Sequence, residues 1–184
     1  MTGPTKTLYD VLGDAQKWGT LGRRPISEVI EHARQFLPPL DGCTGPVIDL
    51  GSGAGVPGLV IAEARPDLEL VLVDRRATRT DALRRGVAAM DLAGRVTVLT
   101  SDVEDLVRTP DHRHRYAAVV SRGFGPPEVT ARLAGELAKD GGTIVISEPP
   151  AGTPSRWPAS LLDELGWESI PGFSGVAVFH VKHR

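Results

Sequence analysis

The sequence predicts an α/β fold: a doubly wound, seven-stranded, mostly parallel sheet with an antiparallel C-terminal hairpin and an N-terminal helical segment. Strand-like and helix-like stretches alternate from residue 46 almost to the end, as in a parallel sheet covered on both faces. Leu68-Glu-Leu-Val-Leu-Val-Asp74 is a nearly continuous apolar run, suited to a strand buried on both sides. Trp167–Ile170 and Val176–Val181 are separated only by Pro171-Gly-Phe-Ser-Gly175. That link is too short for a parallel crossover, so the two strands pair antiparallel.

Residues 1–45 read as a cap of two helices on a core of residues 46–184, the whole making a single domain. Ile26, Val29, Ile30, Ala33 and Phe36-Leu37 form a helical stripe stopped by Pro38-Pro39. Val47–Asp49 is the first strand, Gly58–Ala64 a helix ended by Pro66, and Leu68–Asp74 the second strand. Thr80–Leu92 is a helix with Leu83, Val87 and Met90 on one side, and Arg95–Thr100 the third strand. Tyr116–Ser121 is the fourth strand, Glu128–Lys139 a helix closed by Gly141-Gly142, and Thr143–Ser147 the fifth strand. A short helix, Leu161–Leu165, precedes the hairpin. Thr109–Arg115 is a polar loop, and its His112 and His114, with no companion ligands, read as solvated rather than metal-binding.

At 184 residues, 41% hydrophobic and 24% charged, the chain is a globular domain large enough to bury a core. No apolar run approaches a membrane span, and Met1–Lys6 lacks a signal-peptide core. A single cysteine, Cys43, forms no intramolecular disulfide, so a cytoplasmic location is expected. No DNA or membrane partner is expected, and a monomer is favoured. The net charge of −2 argues against holding long RNA by bulk electrostatics. An RNA partner would need a local patch. Arg23-Arg24, Arg75-Arg76, Arg79 and Arg84-Arg85 form such a patch or, equally, a solvated face offset by nearby acids.

The most informative stretch is Val47-Ile-Asp-Leu-Gly-Ser-Gly-Ala-Gly-Val-Pro-Gly58: strand, acidic strand end, glycine loop, helix. Gly51, Gly53 and Gly55 allow tight turns and close approach to a ligand. The following helix start offers unpaired N–H groups. A carboxylate at Asp49 would repel a pyrophosphate but suits a ligand with a positive centre, such as S-adenosylmethionine. Gly53-Ala-Gly-Val-Pro-Gly58 also fits a dinucleotide fingerprint with Asp74 as the ribose acid. Against that stand Asp49, Pro57 at the helix start, and too little chain for a separate substrate domain. No Gly-Lys-Ser/Thr follows, which rules out a P-loop. Five parallel strands closed by an antiparallel hairpin also match the S-adenosylmethionine methyltransferase layout rather than a dinucleotide-binding sheet.

The block DLGSGAGVPGLVIA at residues 49–62, with SRGFG at 121–125, resembles the small-subunit ribosomal RNA guanine methyltransferases, first named the glucose-inhibited division protein B family. The resemblance covers roughly residues 46–148. It implies a Rossmann-like class I methyltransferase, S-adenosyl-L-methionine as cofactor, and methylation of the imidazole-ring nitrogen of one guanine in small-subunit ribosomal RNA. Ribosomal RNA or the small subunit is the implied partner. By position, Gly51 and Val56 match cofactor-lining loop residues, Val103-Glu104 the pair beside the adenine, and Arg122 an arginine at the cofactor and substrate mouth, taken as the catalytic residue. Asp74 fits the carboxylate on the ribose hydroxyls, and Asp102 falls near the adenine amino group. Asp49, Gly53 and Gly55 complete the implied cofactor site. The chain lacks the family's N-terminal Asn-Leu-Thr and its His-Asp-Ser, since His32 is followed by Ala33, Arg34 and Gln35. Ser147-Glu-Pro-Pro150 replaces a Lys-Gly. Both departures fall on substrate-facing regions.

Such a guanine nitrogen carries an in-plane lone pair and no proton, so its methylation needs no general base or metal, only positioning and electrostatics. Arg122 would hold a guanine or a phosphate, or else pair with Glu148. Phe124 would stack on an extruded base or belong to the core. Two alternatives keep the cofactor: a small-molecule methyltransferase, or a non-catalytic, ribosome-associated protein.

Overall fold

The computed structural model describes residues 4–149 and 152–182. Met1–Gly3 and Pro150, which entered the leader and Lys-Gly comparisons above, lie outside the described residues. The helices are α1 (Leu8–Lys17), α2 (Ile26–Arg34), α3 (Gly58–Ala64), α4 (Ala77–Ala89), α5 (Val103–Leu106), α6 (Pro127–Leu137) and α7 (Ala159–Leu165), with a 3₁₀ turn at Pro38–Leu40. The strands are β1 (Val47–Leu50), β2 (Leu70–Asp74), β3 (Val96–Thr100), β4 (Tyr116–Ser121), β5 (Ala138–Ser147), β6 (Trp167–Ile170) and β7 (Val176–Val181). They form one seven-stranded sheet in the order β3-β2-β1-β4-β5-β7-β6. Strands β1 to β5 are parallel, and β7 runs antiparallel between β5 and β6.

Burial follows strand position. Every residue of the central β1 and β4 is buried, whereas the edge strands β3 and β6 each bury one residue. Because side chains alternate along a strand, each face collects its own core. One face carries Val47, Leu70, Leu72, Val120 and Val145 beneath α1, α2, α3 and α4. The other carries Ile48, Val73, Val119, Ile144 and Phe179 beneath α5, α6 and α7. Asp49, in step with Val47, thus belongs to the first face, under α3.

The N-terminal helices pack directly on the first face. Thr7 and Asp10 start α1 with a reciprocal capping box: Asp10 N–H donates to Thr7 Oγ1 at 3.2 Å and Thr7 N–H to Asp10 Oδ2 at 2.9 Å. Leu8, Val11 and Leu12 then bury against the core. At the crossing with α4, a Cβ on Gly86 would come within 2.7 Å of Val11 Cγ1, so glycine sets this approach.

Most boundaries shift by a residue or two from the sequence reading, and three differences are informative. Helix α2 ends at Arg34, and Phe36, though buried, lies in the following turn. Helix α4 begins at Ala77, one turn before the apolar stripe becomes visible. Helix α6 stops at Leu137, and β5 starts at once with Ala138 opposite Tyr116, passing through Gly141-Gly142 after a register shift. The glycine pair bends a strand instead of ending a helix.

Candidate active site

The strand order reverses between β1 and β4, and a doubly wound sheet opens a crevice at the carboxyl ends there. The loop after β1 is anchored to β2 by Ser52: its Oγ donates to the Asp49 carbonyl at 2.9 Å and accepts Val73 N–H at 3.0 Å, and its N–H donates to Val73 O at 2.8 Å. Gly51 has a φ of +67°, and a Cβ there would stand 2.8 Å from Phe124 Cδ2. Glycine is what lets the loop pass beside Phe124.

A cleft of about 340 Å³ opens over the ends of β1, β2 and β3. Of the residues singled out from sequence, Gly51, Asp74, Asp102, Val103 and Glu104 line it, and so does Phe124. Asp74 is 5% exposed. Its Oδ2 accepts Gly53 N–H at 3.1 Å and lies 3.5 Å from Arg79 Nη1, and its Oδ1 accepts Arg76 N–H at 2.9 Å. A carboxylate offers about four acceptor positions, so these three contacts leave capacity for a ligand hydroxyl. Asp102 caps α5 through Glu104 N–H at 3.3 Å. Hydrogen bonding between the Asp102 and Glu104 carboxyls lowers the pKa of Asp102 and raises that of Glu104.

Asp49 and Arg122 sit together outside the cleft wall. Asp49 is 1% exposed; its Oδ2 accepts Gly58 N–H at 3.0 Å, and its Oδ1 has no hydrogen-bond partner among the described residues. Burial pushes its carboxyl up to about 7, against the Gly58 N–H, Ser52 and the Arg122 charge, which favour the ionised form. Burial likewise lowers the pKa of Arg122, opposed by Asp49. Arg122 is half-buried and makes no hydrogen bond or ion pair among the described residues. Glu148, its alternative partner, is taken by Arg156 Nη2 at 2.9 Å and Trp157 Nε1 at 2.7 Å.

Gly53 contributes its N–H to Asp74 and faces a separate slot between α1 and α4. Gly55 packs against Leu59 and Leu83, and Val56 is buried in the first core, so both shape the loop from beneath. His112 Nδ1 lies 2.6 Å from Tyr116 Oη. Arg79 and Arg84 are offset by nearby acids, Arg79 by Asp74 at 3.5 Å and the exposed Arg84 by Asp81 at 2.9 Å, and Arg84 Nη2 also reaches Thr100 Oγ1 at 2.9 Å. Missing from the expected set are Ser101 and Val129 in the cleft wall. Val129 carried a signal, being an apolar residue off the buried stripe of α6 (Thr130, Ala131, Ala134 and Leu137) and 43% exposed.

The arrangement offers carboxylates to hydroxyls and amino groups, an apolar wall to a flat ring, and a backbone loop to a chain of a few atoms. Among solved structures, a protein from Methanococcus maripaludis aligns with a TM-score of 0.67 at 18% identity, covering 100% of this chain and 98% of that one. An O-methyltransferase family protein from Burkholderia thailandensis aligns at 0.61 and 19% identity over 82% of this chain and 57% of its own. These likenesses bear on fold. Among curated relatives, the Ribosomal RNA small subunit methyltransferase G of Moorella thermoacetica is 33% identical over 106 residues, 58% of this chain and 44% of its own length. That of Salinispora tropica is 37% identical over 123 residues, 65% and 51% respectively. The chain thus spans about half the length of the curated relatives it matches. The family model for GidB, rRNA small subunit methyltransferase G, matches residues 19–148, and the chain belongs to that family.

Proposed function

We propose that this chain is a cytoplasmic enzyme that transfers a methyl group from S-adenosyl-L-methionine to a guanine ring nitrogen of small-subunit ribosomal RNA. The observation that carries the reading is the grouping of Asp74, Asp102 and Glu104 around one cleft beside a glycine loop, with Asp49 and Arg122 adjoining it at the switch point. The residues fit the cofactor. Asp74 has acceptor capacity that would serve the ribose, Val103 would give an apolar floor with Asp102 and Glu104 beside the adenine, and Gly51 lets the loop pass close to Phe124 in the cleft wall. When bound, the cofactor supplies an electrophilic methyl group on a sulfonium centre.

The chain's own task is then to position and to stabilise charge. Asp49, with one buried oxygen unpartnered, becomes a negative centre beneath the loop when it ionises, the form that a cationic ligand above it would favour. Arg122 has its donors uncommitted among the described residues, so it is available to orient the guanine or a neighbouring phosphate. Phe124 walls the cleft against the glycine loop while packing on the second core, which suits a fixed face for a flat ring. Helices α1 and α2 act as a helical cap on the same domain.

The net charge of −2 and the altered residues at 147–149 favour, as a second reading, a small-molecule acceptor. Labelled-methyl transfer to small ribosomal subunits and to their stripped RNA, from cells lacking this chain, separates the two. Label in an RNA guanine supports the first reading. No label, with cofactor binding measured in parallel, overturns it in favour of the second.

A further inference from the structure

Where α1 crosses α4, the small residues Ala15, Ala82 and Gly86 leave an apolar slot of about 210 Å³ floored by Val11 and Leu83. It is separate from the cleft, and Arg79 lines both. An apolar cavity of roughly 150 Å³ takes up benzene, so the slot has room for a flat ring system. Its mouth is chemically distinct. Trp18 stands 56% exposed at the end of α1, and the Arg85 guanidinium lies over its ring at 5.5 Å. Burying the part of that indole which Arg85 leaves open would be favourable.

The charges around the slot select among ring-bearing ligands. Its lining carries three cations, Lys6, Arg79 and Arg85, against one acid, Asp14. Lys6 is paired with Asp14 and Arg79 with Asp74, whereas Arg85 has no acidic partner among the described residues. In a chain of net charge −2, Arg85 therefore places an uncompensated positive charge at an apolar opening. Thr20, in the turn between α1 and α2, also lines the slot. An apolar slot, an exposed indole stacked with a guanidinium, and the one slot cation with no acidic partner among the described residues, Arg85, together fit an unpaired base followed by its phosphate.

We infer that the α1–α4 slot, with Trp18 and Arg85 at its mouth, seats an unpaired nucleotide of the RNA substrate, distinct from the methylated guanine. This rests on the reading of the chain as an RNA methyltransferase. The base stacks at Trp18 and enters between the helices, and its phosphate lies on Arg85. A local site of this kind gives RNA a foothold without bulk positive charge.

The test measures two quantities on the full chain. One is the Kd for fluorescein-labelled RNA stripped from small ribosomal subunits; the other is methyl transfer to the same RNA unlabelled. The variants are Trp18→Ala, Trp18→Phe, Arg85→Ala and, to fill the slot without touching its mouth, Ala82→Leu. Base stacking supports an expected weakening of RNA binding of about fivefold or more for Trp18→Ala. Trp18→Phe should retain most of the affinity and Ala82→Leu should lose it, with S-adenosylmethionine affinity and melting temperature unchanged in all four. Methyl transfer by every variant with wild-type RNA affinity overturns the slot and leaves the activity standing. Trp18-dependent RNA binding without methyl transfer to RNA keeps the slot and overturns the activity. Loss of transfer to assembled subunits but not to stripped RNA would make the partner a protein and overturn the inference.

Discussion

Asp49 Oδ2 accepts the N–H of Gly58 at 3.0 Å, so the carboxylate of the first strand caps the helix that follows the glycine loop. The N-cap residue of α3, Pro57, makes no side-chain cap hydrogen bond, and Asp49 takes over that role across the loop.

The same carboxyl makes stability depend on pH. Its pKa rises from 3.8 to about 7 on folding, so the folded state holds a proton that the unfolded chain gives up between those values. The contribution is fully present below pH 3.8 and is lost as pH rises through 7. Urea denaturation at pH 5 and pH 8 should show wild type losing about 2–3 kcal/mol from this group over that window. Asp49→Asn should flatten the slope. A variant as pH-sensitive as wild type would place the raised pKa elsewhere.

Gly58→Ala should destabilise the fold. Its Cβ would meet Leu72 Cδ2 at 2.3 Å and Asp49 Oδ2 at 2.7 Å, both in the packed interior. Overpacking of this kind costs about 1–3 kcal/mol. Gly94→Ala is the control, because a Cβ there meets nothing within 4 Å. Thermal melts of the two variants should differ by several degrees.

Asp74→Ala should weaken S-adenosylmethionine by about ten- to a hundredfold, the range for losing a hydrogen bond to a charged group. Calorimetry on the folded variant checks it. An unchanged Kd would leave Asp74 only its internal contacts to Gly53, Arg76 and Arg79.

Arg122→Ala should lower kcat/KM for RNA by about ten- to a hundredfold while cofactor affinity changes little. A collapse of cofactor binding with RNA affinity intact would move Arg122 to the cofactor side of the site. Arg122→Lys should recover only part, since an ammonium cannot reproduce the planar fork.

The sheet was legible because its strands carry two independent signals. A nearly continuous apolar run marked β2, and the short Pro171–Gly175 link required an antiparallel end, which the pairing of β6 with β7 fulfils. Helix starts were harder. Helix α4 lacks a side-chain cap, and its first turn, Ala77-Thr-Arg79, carries no apolar side chain larger than alanine, so only the stripe from Thr80 onward was visible. The glycine pair at 141–142 misled for a tertiary reason: the curl it allows depends on β4, whose Tyr116 and Ala117 carbonyls stand 3.3 Å from a Cβ built on Gly142. At the site, spacing marked the carboxylates but could not tell which would be lining and which buried. Asp49 and Asp74 look alike as strand-end acids, yet one lies beneath the loop and the other in the cleft wall.

Between Asp49 and Gly58 the chain leaves the sheet and returns to the side chain from which it departed, with Ser52 tying the outgoing limb to Val73. Loop shape, helix position and strand position are therefore one mechanical unit. A displacement of β1 is carried to the start of α3 through a single carboxylate, and a ligand seated on the loop meets a surface whose ordering entropy was already spent when the protein folded.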